Sequence, residues 1–110
     1  MEESILTTIK KKLGLSKTYT AFDTDIITNI NTSLMRLGML GVGPSTGFRI
    51  TGFNETWEDF IGDRIDLEGI KDFIYIKARI VFDPPASSAA LQALKDEAKE
   101  LEFCLNVQVD

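Results

Sequence analysis

The chain contains no histidine, a single cysteine, a single tryptophan and three prolines in 110 residues. Without histidine, neither a serine nor the Cys104 thiol has its usual general base, and one thiolate with no imidazole makes no recognisable zinc set. A lone cysteine also excludes an intrachain disulfide, so the fold must be held by packing. Cys104, between Phe103 and Leu105, reads as a buried small hydrophobe. No apolar run approaches the roughly 20 residues that cross a bilayer. The start, Met1-Glu2-Glu3-Ser4, lacks the basic-then-apolar order of a secretion signal, which points to a protein made or assembled in the cytoplasm, with no membrane partner. Basic charge is the minority: 12 lysines and arginines against 17 acids give a net charge of -5. That balance opposes gripping nucleic acid phosphate as the main activity.

What is present is enough apolar material, 44%, for one domain spanning residues 1–110 with a modest core. A domain of this size is marginally stable, and contact with other subunits would help it. Two of the prolines are adjacent, in Phe82-Asp83-Pro84-Pro85-Ala86-Ser87-Ser88, and cannot both lie within a helix. Before them Ile70, Phe73, Ile74, Ala78 and Val81 keep helical spacing, interrupted only by Lys77; after them Leu91, Leu94, Ala98, Leu101 and Leu105 do the same. These stripes predict two amphipathic helices joined as an antiparallel hairpin. Ser87 or Ser88 is positioned to cap the second.

Upstream, Ile5, Ile9 and Leu13 predict a short first helix capped by Ser4. Lys10-Lys11-Lys12 and then Gly14 suit its carboxyl end, where cations oppose the helix dipole and glycine allows a left-handed exit; the alternative is a basic contact patch. Ile26, Ile27, Ile30, Leu34 and Leu37 predict a second helix from about Thr24 to Leu40 with Asp23 as its cap. Asp23 and Asp25 are two positions apart and point to opposite sides of that helix start, so they make a poor acid/base pair. The glycine-rich stretch that follows lies after a helix rather than a strand, and has neither the lysine of a phosphate loop nor dinucleotide spacing. Phe48 and Ile50 alternate with Arg49 and Thr51, predicting an extended arm or short strand near 47–51 that needs a partner from this subunit or a neighbour. Asn54 is expected to cap a short helix bearing Trp57, Phe60 and Ile61 and ended by Gly62, with Asp66 starting the next. Trp57 reads first as core and second as a subunit contact. Glu58, Asp59 and Asp63 lack the strict alternation of a calcium loop and read as solvated charge. Beyond Leu105, Asn106-Val107-Gln108-Val109-Asp110 alternates in a way that no longer suits a helix. It reads as a tail, free or added to another chain's edge.

The fold class is therefore mainly α: a small helical bundle of four main helices plus a short helix, with one extended arm (41–53) or short β-strand segment and a C-terminal tail (106–110). Several segments also resemble the small head-tail connector, or adaptor, proteins of long-tailed bacteriophages and related prophages. The resemblance runs from about Ile5 to Asp110, through Thr20-Ala21-Phe22-Asp23-Thr24-Asp25-Ile26-Ile27, Gly41-Val42-Gly43-Pro44 and Trp57-Glu58-Asp59-Phe60. It continues in Tyr75-Ile76-Lys77-Ala78-Arg79-Ile80-Val81-Phe82-Asp83-Pro84-Pro85 and the closing Glu100-Leu101-Glu102-Phe103-Cys104-Leu105-Asn106-Val107. The Phe-Asp-Pro-Pro turn and the Glu-Leu-Glu-aromatic ending are its most specific parts. Phe103-Cys104 stands where the pattern has Trp-Arg.

The resemblance implies a structural, non-enzymatic virion protein at the head-tail junction, assembled in the host bacterial cytoplasm. It implies a dodecameric ring beneath the portal protein that extends the DNA channel and receives the next neck or head-completion protein. DNA would pass through without specific binding, since an acidic wall repels phosphate. No catalytic, cofactor or metal residue is assigned. Phe48, Arg49, Ile50, Phe53, Trp57, Asn106, Val107 and Val109 are the candidate interface, because the arm and tail carry apolar side chains without helical periodicity. Two rivals remain: a helical DNA-binding regulatory protein, which would need a basic recognition helix, and a small enzyme subunit, which would need a nucleophile and base.

Overall fold

Ser4 is extended, and its hydroxyl accepts the Thr7 N–H at 3.1 Å, which starts helix α1 (Ile5–Lys12) where capping predicts. A computed structural model describes residues 4–16, 18–44, 47–61 and 67–109; among them the chain forms five helices and no strand beyond an isolated bridge between Ser4 and Thr56. Ile5, Leu6 and Ile9 are fully buried, and Gly14 leaves the helix at φ +81°. Lys10 departs from the other two lysines of the triplet, which are exposed, for it is buried too. It shares the apolar face with Leu6, one turn back, and with Ile9 beside it.

Helix α2 (Asp23–Met39) matches the predicted second helix, but Asp23 is not its cap. Phe22 occupies the cap position without a side-chain hydrogen bond, and the Asp23 carboxylate lies 2.7 Å from Lys10 Nζ instead. An ammonium withdrawn from water demands that partner more strongly than a helix end that solvent can satisfy. In α3 (Trp57–Ile61) the cap is Thr56 rather than Asn54. Its hydroxyl accepts the Asp59 N–H at 3.2 Å while its own N–H donates to Asp59 Oδ2 at 3.0 Å, a reciprocal box with aspartate in the usual glutamate position. Gly62, Asp63 and Asp66 lie outside the described residues.

Helix α4 (Leu67–Phe82) and helix α5 (Ser88–Val109) flank the proline pair, and the Ser87 hydroxyl accepts the Ala90 N–H at 3.0 Å as the α5 cap. Helix α4 is central: α1, α2 and α5 all pack on it, α5 most extensively. Ile70, Phe73, Ile74 and Ala78 are fully buried, as their spacing predicts. Val81 is exposed and Ile76 is buried instead, because a helix covered from several sides needs a wide apolar face and Val81 lies past the end of that cover. Among the described side chains of α5, Ala98 and Leu105 are buried while Leu91, Leu94 and Leu101 are half-buried, as befits a helix packed chiefly on one neighbour.

Two expectations about the C-terminus are corrected. The helix does not stop at Leu105 but runs to Val109. Once a helix exists, each added residue gains a backbone bond, and this outweighs the few tenths of a kcal/mol by which valine disfavours it. Cys104 is exposed rather than buried. It shares its face with Glu97 and Glu100, seven and four positions earlier, and not with the Leu101 and Leu105 stripe.

Candidate interaction surfaces

Residues 47–51 have no regular secondary structure, and the backbone partner that such a segment needs comes from a helix. On α2 the Asn31 amide accepts the Ile50 N–H at 2.7 Å and donates to the Ile50 carbonyl at 3.0 Å, so one side chain does the work of a neighbouring strand. Ile50 can thereby be fully buried without orphaned backbone groups. Gly43, at φ +95°, makes the entry possible: a Cβ there would strike the Phe60 ring. That ring packs at 5.2 Å between centroids against Phe48. The arm closes on Glu55, whose carboxylate accepts the Thr51 N–H at 3.1 Å and the Thr51 hydroxyl at 2.9 Å. Burial opposes ionisation there, but these bonds prevail and hold the Glu55 carboxyl below its ordinary range. The Glu55 carbonyl accepts the Ile5 N–H at 3.0 Å, tying the arm to the start of α1.

The expected interface residues thus fall into three groups. Ile50 and Trp57 belong to the core: Trp57 is buried and its indole N–H donates to Thr8 Oγ1 at 2.8 Å, which is the first of the two readings of this residue. Phe48 and Phe53 are half-buried, the latter with Lys10 Nζ 5.4 Å from its ring centre, and Arg49 is exposed. Asn106, Val107 and Val109 form the last turn of α5, their side chains lying outside the described residues.

Other surfaces escaped the periodicity. Met35 and Met39, exposed and one turn apart on the outer face of α2, line a groove of about 350 Å³ with Pro44, Gly47 and Phe48. Phe22 and Val81 stand at a second opening of about 450 Å³ beside Leu13 and Phe82. The signal for Met35 and Met39 was available: large apolar residues lie on the face opposite the Ile30, Leu34 and Leu37 stripe. Arg36 reaches from α2 to α5 and grips Glu102 with two hydrogen bonds, 3.0 and 2.7 Å long. This fork holds the Glu102 carboxyl below its ordinary range and raises the guanidinium. Among the described residues no group of three or more potential metal ligands occurs, and no helix is long and apolar enough to cross a membrane.

The arrangement offers surfaces and clasps. Comparison with known families then decides the class, for the model of a family described as phage connector protein matches residues 5–110, nearly the entire chain. The chain belongs to the phage connector protein family. Its role is accordingly structural, at the phage head-tail junction, as a component of the virion. No curated protein and no solved structure matches it. Within this connector, the residues behind the resemblance do structural work: Asp83, Pro84 and Pro85 make the α4–α5 turn, and Glu102 of the Glu-Leu-Glu ending clasps α2.

Proposed function

We propose that this connector forms a homo-oligomeric ring beneath the portal protein, joins the DNA-filled head to the tail and extends the DNA channel. The observation that carries the reading is the family match over residues 5–110. The net charge of -5 supports it, since a ring with acidic lining repels phosphate and lets DNA slide through unbound. Its partners are other copies of itself, the portal protein and the next neck or head-completion protein, with assembly in the host bacterial cytoplasm. The contacts use Arg49, the accessible edges of Phe48 and Phe53, and the last α5 turn with Asn106, Val107 and Val109; Met35 and Met39 extend the Phe48 surface. Ile50 and Trp57 support these contacts from the core.

Electron microscopy of necks from phage with and without this chain tests the proposal. The expected result is a ring of density under the portal that disappears with the chain, leaving heads and tails apart. Necks of unchanged outline and normal infectious particles in its absence would overturn it.

A further inference from the structure

Helix α5 carries its charges in two separate rows. Successive residues lie about 100° apart round an α-helix. Lys95 and Lys99, one turn apart, share a flank; Asp96 and Glu100, each one position later, share the adjoining back, with Glu97 beyond them. All five are exposed. Phe103, 69% exposed, projects between the lysine flank and the acidic back.

The lysine flank borders a groove of about 430 Å³ between α4 and α5, floored by Phe73, Ile80 and Ala98 and edged by Lys77, Lys95 and Lys99. Among the described residues Glu102 is the one acid on its wall, and its carboxylate is held by the Arg36 fork. Among the described residues none of the three lysines makes an ion pair. In a chain of net charge -5, this gathers three lysines over an apolar floor beside one acid, which the Arg36 fork already holds and whose carboxyl pKa Lys77 also helps to lower.

We infer that the α4–α5 groove receives the acidic back of α5, Asp96, Glu97 and Glu100, from a second copy of the chain, with Phe103 of that copy turned to the apolar floor. The inference rests on the ring proposed above and names one contact within it. Groove and acidic back adjoin on one subunit, where Gln92 of the groove donates to Asp96 Oδ1 at 3.0 Å, and each copy presents both. Such head-to-tail contacts propagate until a ring closes. A two-fold pair would match lysine with acid twice and stop at two copies, whereas the ring proposed above requires a contact that propagates. A nucleic acid backbone would match the lysines but leave the apolar floor and Phe103 unused.

Charge reversal in phage complemented with variant chains tests the contact. Lys95→Glu with Lys99→Glu, and separately Asp96→Lys with Glu100→Lys, are each expected to lower plaque titre about tenfold or more, and all four together to restore it to within about threefold. The positions are exposed, and circular dichroism of each variant should match the parent. Carbodiimide coupling of wild-type particles supplies a second measurement: covalent multimers joining Lys95 or Lys99 to Asp96, Glu97 or Glu100 are expected. Coupling through other residues only would overturn the contact. So would lysine reversal that lowers titre without rescue by the acidic reversal, which would assign the groove to DNA or another neck protein. Unchanged titre for every variant, with a ring still visible, would overturn the contact and leave the ring standing; absence of any ring would overturn both.

Discussion

Lys10 shows how far a single residue can depart from its class. It is 1% exposed in the centre of the α1 face, where an unpaired ammonium would be costly. Among the groups that hold it are Asp23 Oδ1 at 2.7 Å, the Tyr19 carbonyl at 2.5 Å and the Phe53 ring. The pair therefore pins the start of α2 and the arm to α1. Removing the carboxylate takes away the counter-charge 2.7 Å from the buried ammonium. Asp23→Ala is expected to cost about 2 to 3 kcal/mol in urea unfolding, against less than about 0.5 for Asp25→Ala on the exposed side of the same turn. Equal effects at the two positions would show that the Lys10 contact contributes nothing beyond helix-end electrostatics.

At the scale of elements, the arm is a segment without regular structure that is nonetheless built in. Asn31 supplies both backbone bonds of Ile50, so Asn31→Ala strands a buried N–H and a buried C=O together. The expected loss is about 2 to 3 kcal/mol, with the Ile50 amide exchanging its hydrogen faster while Phe73 and Ile74 in α4 stay protected. Unaltered exchange at Ile50 would show the arm to be held by its aromatic contacts alone. This long-range bond, 19 positions apart in the chain, left no pattern in the sequence. Local signals, by contrast, were legible. The Ser4 and Ser87 caps, the proline turn and the three long helices follow from spacing and side-chain chemistry acting within a few residues. Where a tertiary partner competed with a local one, the local reading failed: Asp23 left the cap for Lys10, and Thr56 displaced Asn54 because Asp59 could answer it. The break in helical pattern at the arm was legible, and its anchoring by Asn31 was not. Exposed Met35, Met39 and Phe103 were missed because a search for apolar stripes looks for burial and passes over isolated side chains on polar faces.

For the whole molecule, α5 is the least enclosed of the long helices, and its orientation depends on two things. Its half-buried leucines rest on α4, and the Arg36–Glu102 fork ties its outer edge to α2. The fork also bears on the contact inferred above, because it anchors the helix whose rows of lysine and acid that contact would use. Its pH dependence has a definite sign. The fork lowers the Glu102 pKa from its ordinary 4.5, so its stabilisation is complete above that value and disappears as pH falls through the lower, folded-state one. Glu102→Gln keeps the shape and removes the charge. Wild-type protein should melt above Glu102→Gln at neutral pH, and the gap should close on acidification below 4.5. Because Arg36 is half exposed, salt near 1 M should also narrow the gap. Glu55 is depressed as well, by neighbours that the substitution leaves in place, and its acid sensitivity should persist in both proteins. A gap that widened toward low pH would mean that Glu102 is stabilised in its protonated form, and that the fork does not hold α5 in place.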